Sequence, residues 1–145
     1  MIHNRVEAYY RKEHAGNRPI ICSVEDVDEL IDSLLTAPAY HNMAELHSLE
    51  RMPLPSGFPD HELLVGVDNN LQAGVLEFMD AEGNVVTLGS PEGRGEVSYF
   101  IVGNATEFPD RSEIPIDLVR QAVKEFLASG GKRPTCVQWQ VPEVW

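Results

Sequence analysis

Histidine and cysteine are the side chains of this sequence best suited to metal binding or nucleophilic chemistry. His41 and His47 lie six residues apart, which fits no common zinc motif, and neither His-Glu-x-x-His nor Cys-x-x-Cys occurs. His61 and Glu62 form a single adjacent pair. Local motifs therefore predict no catalytic residue, no metal ligand and no cofactor-binding residue.

The two cysteines, Cys22 and Cys136, each lie in a short apolar run that predicts a strand. A thiol reacts as its accessible thiolate, so we expect two free, buried and inert cysteines. A nucleophile elbow of the Gly-x-Ser-x-Gly type is also missing from the sequence. Nucleophilic catalysis thus has no local signature here.

The segment from Gly89 to Glu96 is rich in glycine and invites comparison with a phosphate-binding loop. Its only basic residue is Arg94, and Glu92 and Glu96 would repel a phosphate. No helix is predicted directly after it, as such a loop requires. We interpret the segment as a flexible hairpin loop.

Charge is the unusual property of the composition. The 145 residues include 11 Lys and Arg against 23 Asp and Glu, a formal net charge of −12 at pH 7. That charge disfavours direct binding to nucleic acid or to an anionic membrane and favours a basic protein partner.

Length and hydropathy predict a single cytoplasmic domain. The whole chain, residues 1–145, has the common size of one domain. No apolar run approaches the roughly 18 residues of a membrane span, and the N-terminal residues lack the apolar core of a signal peptide.

Apolar periodicity predicts two helices among many short strands. Ser23 is a good N-cap for the first helix, and Pro115 suits the first turn of the second, which Gly130 and Gly131 end. Strands are predicted near residues 5–11, 19–22, 61–67, 73–79, 85–88, 97–102 and 135–140, with an ambiguous segment at 40–51 and loops at 52–60 and 104–111. Trp139 is expected to be buried where the last strand meets the second helix.

This order of elements predicts an α+β fold. We expect an antiparallel or mixed β-sheet of about six to eight strands, with two helices packed on one face. The second helix is predicted to end in VRQAVKEFLAS, and the sequence GGKRPTCVQWQ follows it directly.

That junction, with its G-x-R-P-x-x-V-x-W ending, resembles the C-terminal end of the Imm1 family. These are immunity proteins of bacterial polymorphic toxin systems, common in actinobacteria and associated with toxins of the nucleic-acid deaminase superfamily. The resemblance implies a protein that is not an enzyme and that binds and inhibits a cognate toxin by occluding its active site. The missing ligand motifs separately predict that it holds no metal and no cofactor.

Acidity supports the same interpretation independently, because a toxin that acts on nucleic acid needs a basic substrate channel that an acidic inhibitor can occupy. The first helix has an acidic face and no basic residue, and two loops carry further acids. The partner-binding candidates, chosen by charge and, for the terminal tryptophan, by residue type, are Glu25, Asp28, Glu29, Asp32, Asp68, Glu92 and Trp145.

Two other classes of function stay open. A small enzyme or ligand-binding domain could assemble its site from distant residues, and close approach of His47, His61 and Glu62 would favour it. A generic protein-interaction module would instead expose an apolar patch without an acidic rim.

Overall fold

The structure, a computed structural model, describes residues 4–142, which form ten strands and two α-helices. The strands are β1 (Val6–Tyr9), β2 (Ile20–Ile21), β3 (Met43–Ser48), β4 (Glu62–Asp68), β5 (Ala73–Asp80), β6 (Gly83–Thr87), β7 (Val97–Ile101), β8 (Asn104–Phe108), β9 (Ile114–Pro115) and β10 (Trp139–Gln140). The helices are α1 (Val24–Thr36) and α2 (Ile116–Ala128). None of the described helices has the length and hydropathy needed to cross a membrane.

Eight strands form one antiparallel sheet in the order β10-β6-β5-β4-β3-β1-β2, with β9 paired to β5. Strands β7 and β8 form a separate two-stranded antiparallel sheet. The predicted α+β fold is confirmed.

Both helices lie on one face of the large sheet, over the larger apolar core. In α1, Ser23 caps the helix by accepting a hydrogen bond from the Asp26 backbone N–H at 3.1 Å. The apolar stripes of both helices are buried as their 3.6-residue period predicts. The helix residues of this core are Val27, Leu30, Ile31, Leu34, Ile116, Val119, Ala122, Val123, Phe126 and Leu127.

The β7–β8 hairpin covers part of the opposite face, over a second, smaller core. The predicted strand at 97–102 exists but does not extend the meander, and the predicted loop at 104–111 is wrong because β8 lies within it. Tyr99 of β7 lies directly on β4, where a Cβ on Gly66 would be only 2.6 Å from the tyrosine Cδ2. The hairpin leaves the other end of this face open.

The predicted strand at 135–140 is also mostly wrong, since only Trp139 and Gln140 pair with β6. Trp139 is partly rather than fully buried, and its indole Nε1 donates to the Pro134 carbonyl oxygen at 2.9 Å. The cysteines are free, but Cys22 is exposed and Cys136 is half-buried, so their predicted burial is wrong too. Short apolar runs next to turns did not distinguish strands from ordered loops.

The glycines after α2 end the helix as predicted. Gly130 and Gly131 have φ values of 74° and 95°, and the Gly131 N–H donates to the Phe126 carbonyl at 3.0 Å. A Cβ on Gly131 would lie 2.5 Å from the Ser48 Cβ. The glycine therefore supplies both the left-handed turn and the close approach to β3.

Replacing Gly131 by alanine should lower the free energy of unfolding by about 1–3 kcal/mol, through positive φ and overpacking against Ser48. Urea denaturation measures the loss. Gly16→Ala is the matched control, because Gly16 has a φ of −109° and open space around its Cα. Equal stabilities of the two variants would contradict this account of the turn.

Candidate functional site

The open end of the sheet face opposite the helices carries a row of polar side chains from neighbouring strands. Glu7 of β1 pairs with His47 of β3, and Glu62 of β4 pairs with Met79 of β5. The β3–β4 register, which pairs Leu46 with Leu63, places His47 opposite Glu62 when it is continued by one residue. Glu45 lies two residues from His47 on β3 and therefore shares its face. These residues form the floor of a groove.

The loop between β3 and β4 forms one wall of this groove. Arg51 holds both ends of the loop, because its guanidinium contacts the Asp60 carboxylate at 2.9 and 3.0 Å and donates to the Gly131 carbonyl at 2.9 Å. Leu54 and Phe58 project from it and are 47% and 71% exposed. The groove has a volume of about 960 Å³. Its remaining lining residues are Arg18, Pro59, His61, Asp80, Ala81 and Glu82.

Arg18 neutralises one half of the groove. Its guanidinium lies 3.7 Å from a Glu7 carboxylate oxygen and 3.5 Å from one of Glu45. The same group lies over the Tyr9 ring, 5.3 Å from its centroid, in a cation–π contact. A positive charge is thus held permanently beside two of the carboxylates.

Two carboxyl groups nearby have strongly raised pKa values. Burial raises the pKa of Glu62 to about 7, and the charges of Glu45 and Glu77 add to the effect. Burial raises the pKa of Glu77 to about 7 as well. Glu77 is 1% exposed, and its Oε2 atom has no hydrogen-bond partner among the described residues. Both carboxyl groups are therefore partly protonated near neutral pH.

The two histidines of the groove have different roles. His61 accepts a hydrogen bond from the Ser48 N–H at its Nε2 (2.8 Å), so Nδ1, 2.9 Å from an Asp60 oxygen, carries the proton. Both His61 nitrogens are therefore used structurally. His47 Nε2 lies 3.5 Å from Glu45 and 3.9 Å from Glu62, and burial lowers the pKa of this imidazole.

Glu45, His47 and Glu62 each offer a ligand atom within 4.8 Å of the other two. Two carboxylates and one imidazole are a donor set that suits a divalent transition metal. The guanidinium of Arg18 already supplies a cation to Glu45, at 3.5 Å. Glu45, His47 and Glu62 are thus the residues that could hold a metal ion. That the protein binds no metal stays a prediction from the sequence.

The acidic residues selected on α1 lie on the other side of the sheet, and two of them are already paired. Asp28 contacts Arg120 and Lys124 of α2 at 3.0 Å each, and Asp32 also pairs with Arg120. Helix α2 thus provides basic partners for the acidic side chains of α1, which has no basic residue of its own. Glu25 and Glu29 are exposed and make no ion pair within residues 4–142.

The other partner-binding candidates from the sequence do not form a continuous surface with the acidic face of α1. Asp68 ends β4, about 20 Å from Glu62 at a rise of about 3.3 Å per residue, and lies 3.7 Å from Arg94. Glu92 is exposed in the loop between β6 and β7. Trp145 lies outside the described residues.

Sequence reasoning missed most of the groove. The relevant signal was the pair of polar residues at alternate positions of β3, Glu45 and His47, in a segment of ambiguous type. The close approach of His47, His61 and Glu62, which would favour an enzyme, does occur, with the two imidazole centroids 5.9 Å apart and His47 Nε2 3.9 Å from Glu62.

A family model supports the resemblance of the C-terminal junction. Residues 15–141, most of the chain and all of its sheet except β1, match the model described as immunity protein Imm1. A comparison with curated proteins gave no match. The chain belongs to the Imm1 immunity protein family.

Proposed function

We propose that this immunity protein binds its cognate toxin through the groove and the apolar loop beside it, and so occludes the active site of the toxin. Membership of the Imm1 family implies immunity against a toxin. The finer parts of the proposal are that the toxin is a nucleic-acid deaminase, that inhibition needs no catalysis, and that it occurs in the cytoplasm of the producing cell.

The observation that carries this proposal is an exposed apolar loop next to a carboxylate-rich groove. Met52, Leu54 and Phe58 are 84%, 47% and 71% exposed and lie in or next to the groove wall. Apolar and aromatic anchors surrounded by polar groups are the usual composition of a protein-binding hot spot. An acidic rim also distinguishes this surface from that of a generic interaction module.

Charge supports a nucleic-acid-directed toxin. An enzyme that binds single-stranded nucleic acid lines its channel with basic side chains, and a deaminase must admit an unstacked base to its pocket. A protein with a net charge of −12 is attracted to such a channel and repelled by nucleic acid itself. Glu25, Glu29 and Glu92 are proposed as secondary contacts that add to this attraction, and Asp28, Asp32 and Asp68 contribute less because each is paired with a basic side chain.

Stopped-flow binding to the toxin encoded beside this gene tests the proposal. We expect association to slow as salt rises, because the screening length falls from about 30 Å at 0.01 M to about 10 Å at 0.1 M. At pH 8, above the raised pKa of Glu62, Glu62→Gln with Glu82→Gln should weaken affinity by about 10-fold or more, because these charges lie in the interface. Glu25→Gln with Glu29→Gln removes the same charge elsewhere and should mainly lower the association rate.

Equal effects of the two double variants on dissociation would show that the groove is not the interface. Association that does not depend on salt would refute electrostatic steering. Failure of the wild-type protein to bind or neutralise the neighbouring toxin would refute the proposed function itself.

A second candidate is a small hydrolase or ligand-binding protein, favoured by the approach of His47 to Glu62. An imidazole next to a carboxyl group with a pKa of about 7 could act in general acid–base catalysis. Among the residues that the structure describes, however, the groove lining includes no serine, threonine, cysteine, tyrosine or lysine. Toxin neutralisation that survives His47→Gln would separate binding from such chemistry.

A further inference from the structure

The charges of the groove are divided unevenly between its two ends. At one end, Arg18 pairs with Glu7 and Glu45. Glu62 lies next to this cluster, within 4.8 Å of Glu45 and His47, and Asp80 and Glu82 lie beyond it at the other end. We call Glu62, Asp80 and Glu82 the unpaired half. Within residues 4–142 these three carboxylates have no lysine or arginine within 4.0 Å.

Arg18 shows what kind of group fits between carboxylates on this sheet face. Its guanidinium is held by two carboxylates from neighbouring strands while its plane lies over the Tyr9 ring. The unpaired half offers the same two kinds of contact. Its carboxylates can bind a guanidinium, and the apolar side chains of Met79 and Phe58 can pack against an aliphatic stem. A guanidinium suits such a place because it is planar and weakly hydrated, and binds carboxylates through two parallel hydrogen bonds.

Behind the unpaired half lies the buried Glu77. The β4–β5 register pairs Glu62 with Met79 and Leu64 with Glu77, so Glu77 is a diagonal neighbour of Glu62 on the same face. Glu77 is 1% exposed and has an unpartnered oxygen, and no cation lies within 4.0 Å of it among the described residues. A cation in the unpaired half would offset the mutual repulsion of these carboxylates.

We infer that the unpaired half of the groove is a specific site for one arginine side chain of the toxin. The guanidinium binds Glu62, with Asp80 and Glu82 at the rim, and the aliphatic stem lies along Met79 and Phe58. This inference rests on the proposed function, since it names the side chain through which the partner enters the groove.

A ligand without the toxin isolates this site. The full chain, labelled with ¹⁵N, is titrated with N-acetyl-arginine amide while amide chemical shifts are followed at constant ionic strength. We expect saturable shifts around Glu62, Met79 and Asp80 with a Kd of about 1–10 mM, a weak affinity for one side chain in its site. The neutral isostere N-acetyl-citrulline amide should produce no such shifts.

Two variants with one charge removed make the test specific. Glu62→Gln should weaken binding about 5-fold or more, whereas Glu25→Gln on the opposite face should leave it unchanged. Both titrations are run at pH 8, above the raised pKa of Glu62.

Equal shifts with the citrulline compound, or equal weakening by the two variants, would overturn the arginine site. So would the absence of saturable shifts with the arginine compound. If any one of these results is obtained while the wild-type protein still neutralises the neighbouring toxin, only the arginine site is refuted. If the arginine amide binds as expected but the toxin does not, the proposed function fails and the site stands.

Discussion

Replacing Glu77 by glutamine should stabilise the protein at pH 8 by about 1–3 kcal/mol and change its stability little at pH 4.5. In the native protein this carboxyl group is 1% exposed and burial raises its pKa from 4.5 to about 7. The folded state therefore binds the proton more tightly than the unfolded chain does. Stability falls as pH rises from about 4.5 to about 7, and this contribution is constant at higher pH.

Urea unfolding at several pH values measures this effect. The neutral glutamine keeps the shape of the side chain and removes the cost of a buried charge, so the curve of the variant against pH should be flatter. Glu107→Gln is the matched control, since Glu107 lies on β8 and is exposed. Parallel pH curves for the wild type and Glu77→Gln would show that Glu77 does not carry the buried proton.

Phe58→Ala should weaken toxin binding by about 10- to 100-fold, or about 1.4–2.8 kcal/mol, with little change in stability. The ring is 71% exposed in the free protein, so its removal leaves no cavity in the core. In a complex, burial of the same ring against the toxin would contribute hydrophobic free energy. Calorimetric or stopped-flow titration with the toxin measures the loss.

Leu71→Ala is the control for this experiment. Leu71 is 50% exposed and follows the far end of β4, away from the groove. Its truncation should leave toxin affinity unchanged. If Leu71→Ala weakens binding and Phe58→Ala does not, the interface lies at the opposite end of the sheet.

The features that the sequence by itself determined are those with a local physical cause. The stripes of α1 and α2 follow from a period of 3.6 residues, and the start of α1 follows from the hydroxyl of Ser23. The end of α2 follows from the ability of Gly130 and Gly131 to adopt positive φ. These causes act within one or two turns of chain, so residues 116–131 could be interpreted without knowledge of their neighbours. This segment and the residues that follow it, as far as Trp139, carried the resemblance that the family match confirmed.

Only the tertiary structure decided which acids are free and which are paired. The acidic face of α1 lacks basic residues along the helix, yet Arg120 and Lys124 reach Asp28 from α2, 92 and 96 residues later in the chain. Similarly, β8 became a strand by pairing with β7, although residues 104–108 lack a strong strand pattern. The partners of Asp28 are distant in sequence, whereas β7 directly precedes β8, and in neither case does the residue pattern of the segment itself report the pairing.

The groove shows most clearly what the tertiary structure decided and the sequence alone did not. Glu7, His47 and Glu62 come from three strands, and a shift of one residue in register would place their side chains on different faces. The raised pKa of Glu62 likewise depends on burial and on Glu45 and Glu77 beside it. Composition determined that the protein is acidic, but strand register and burial decided where that charge is concentrated and left without a basic partner.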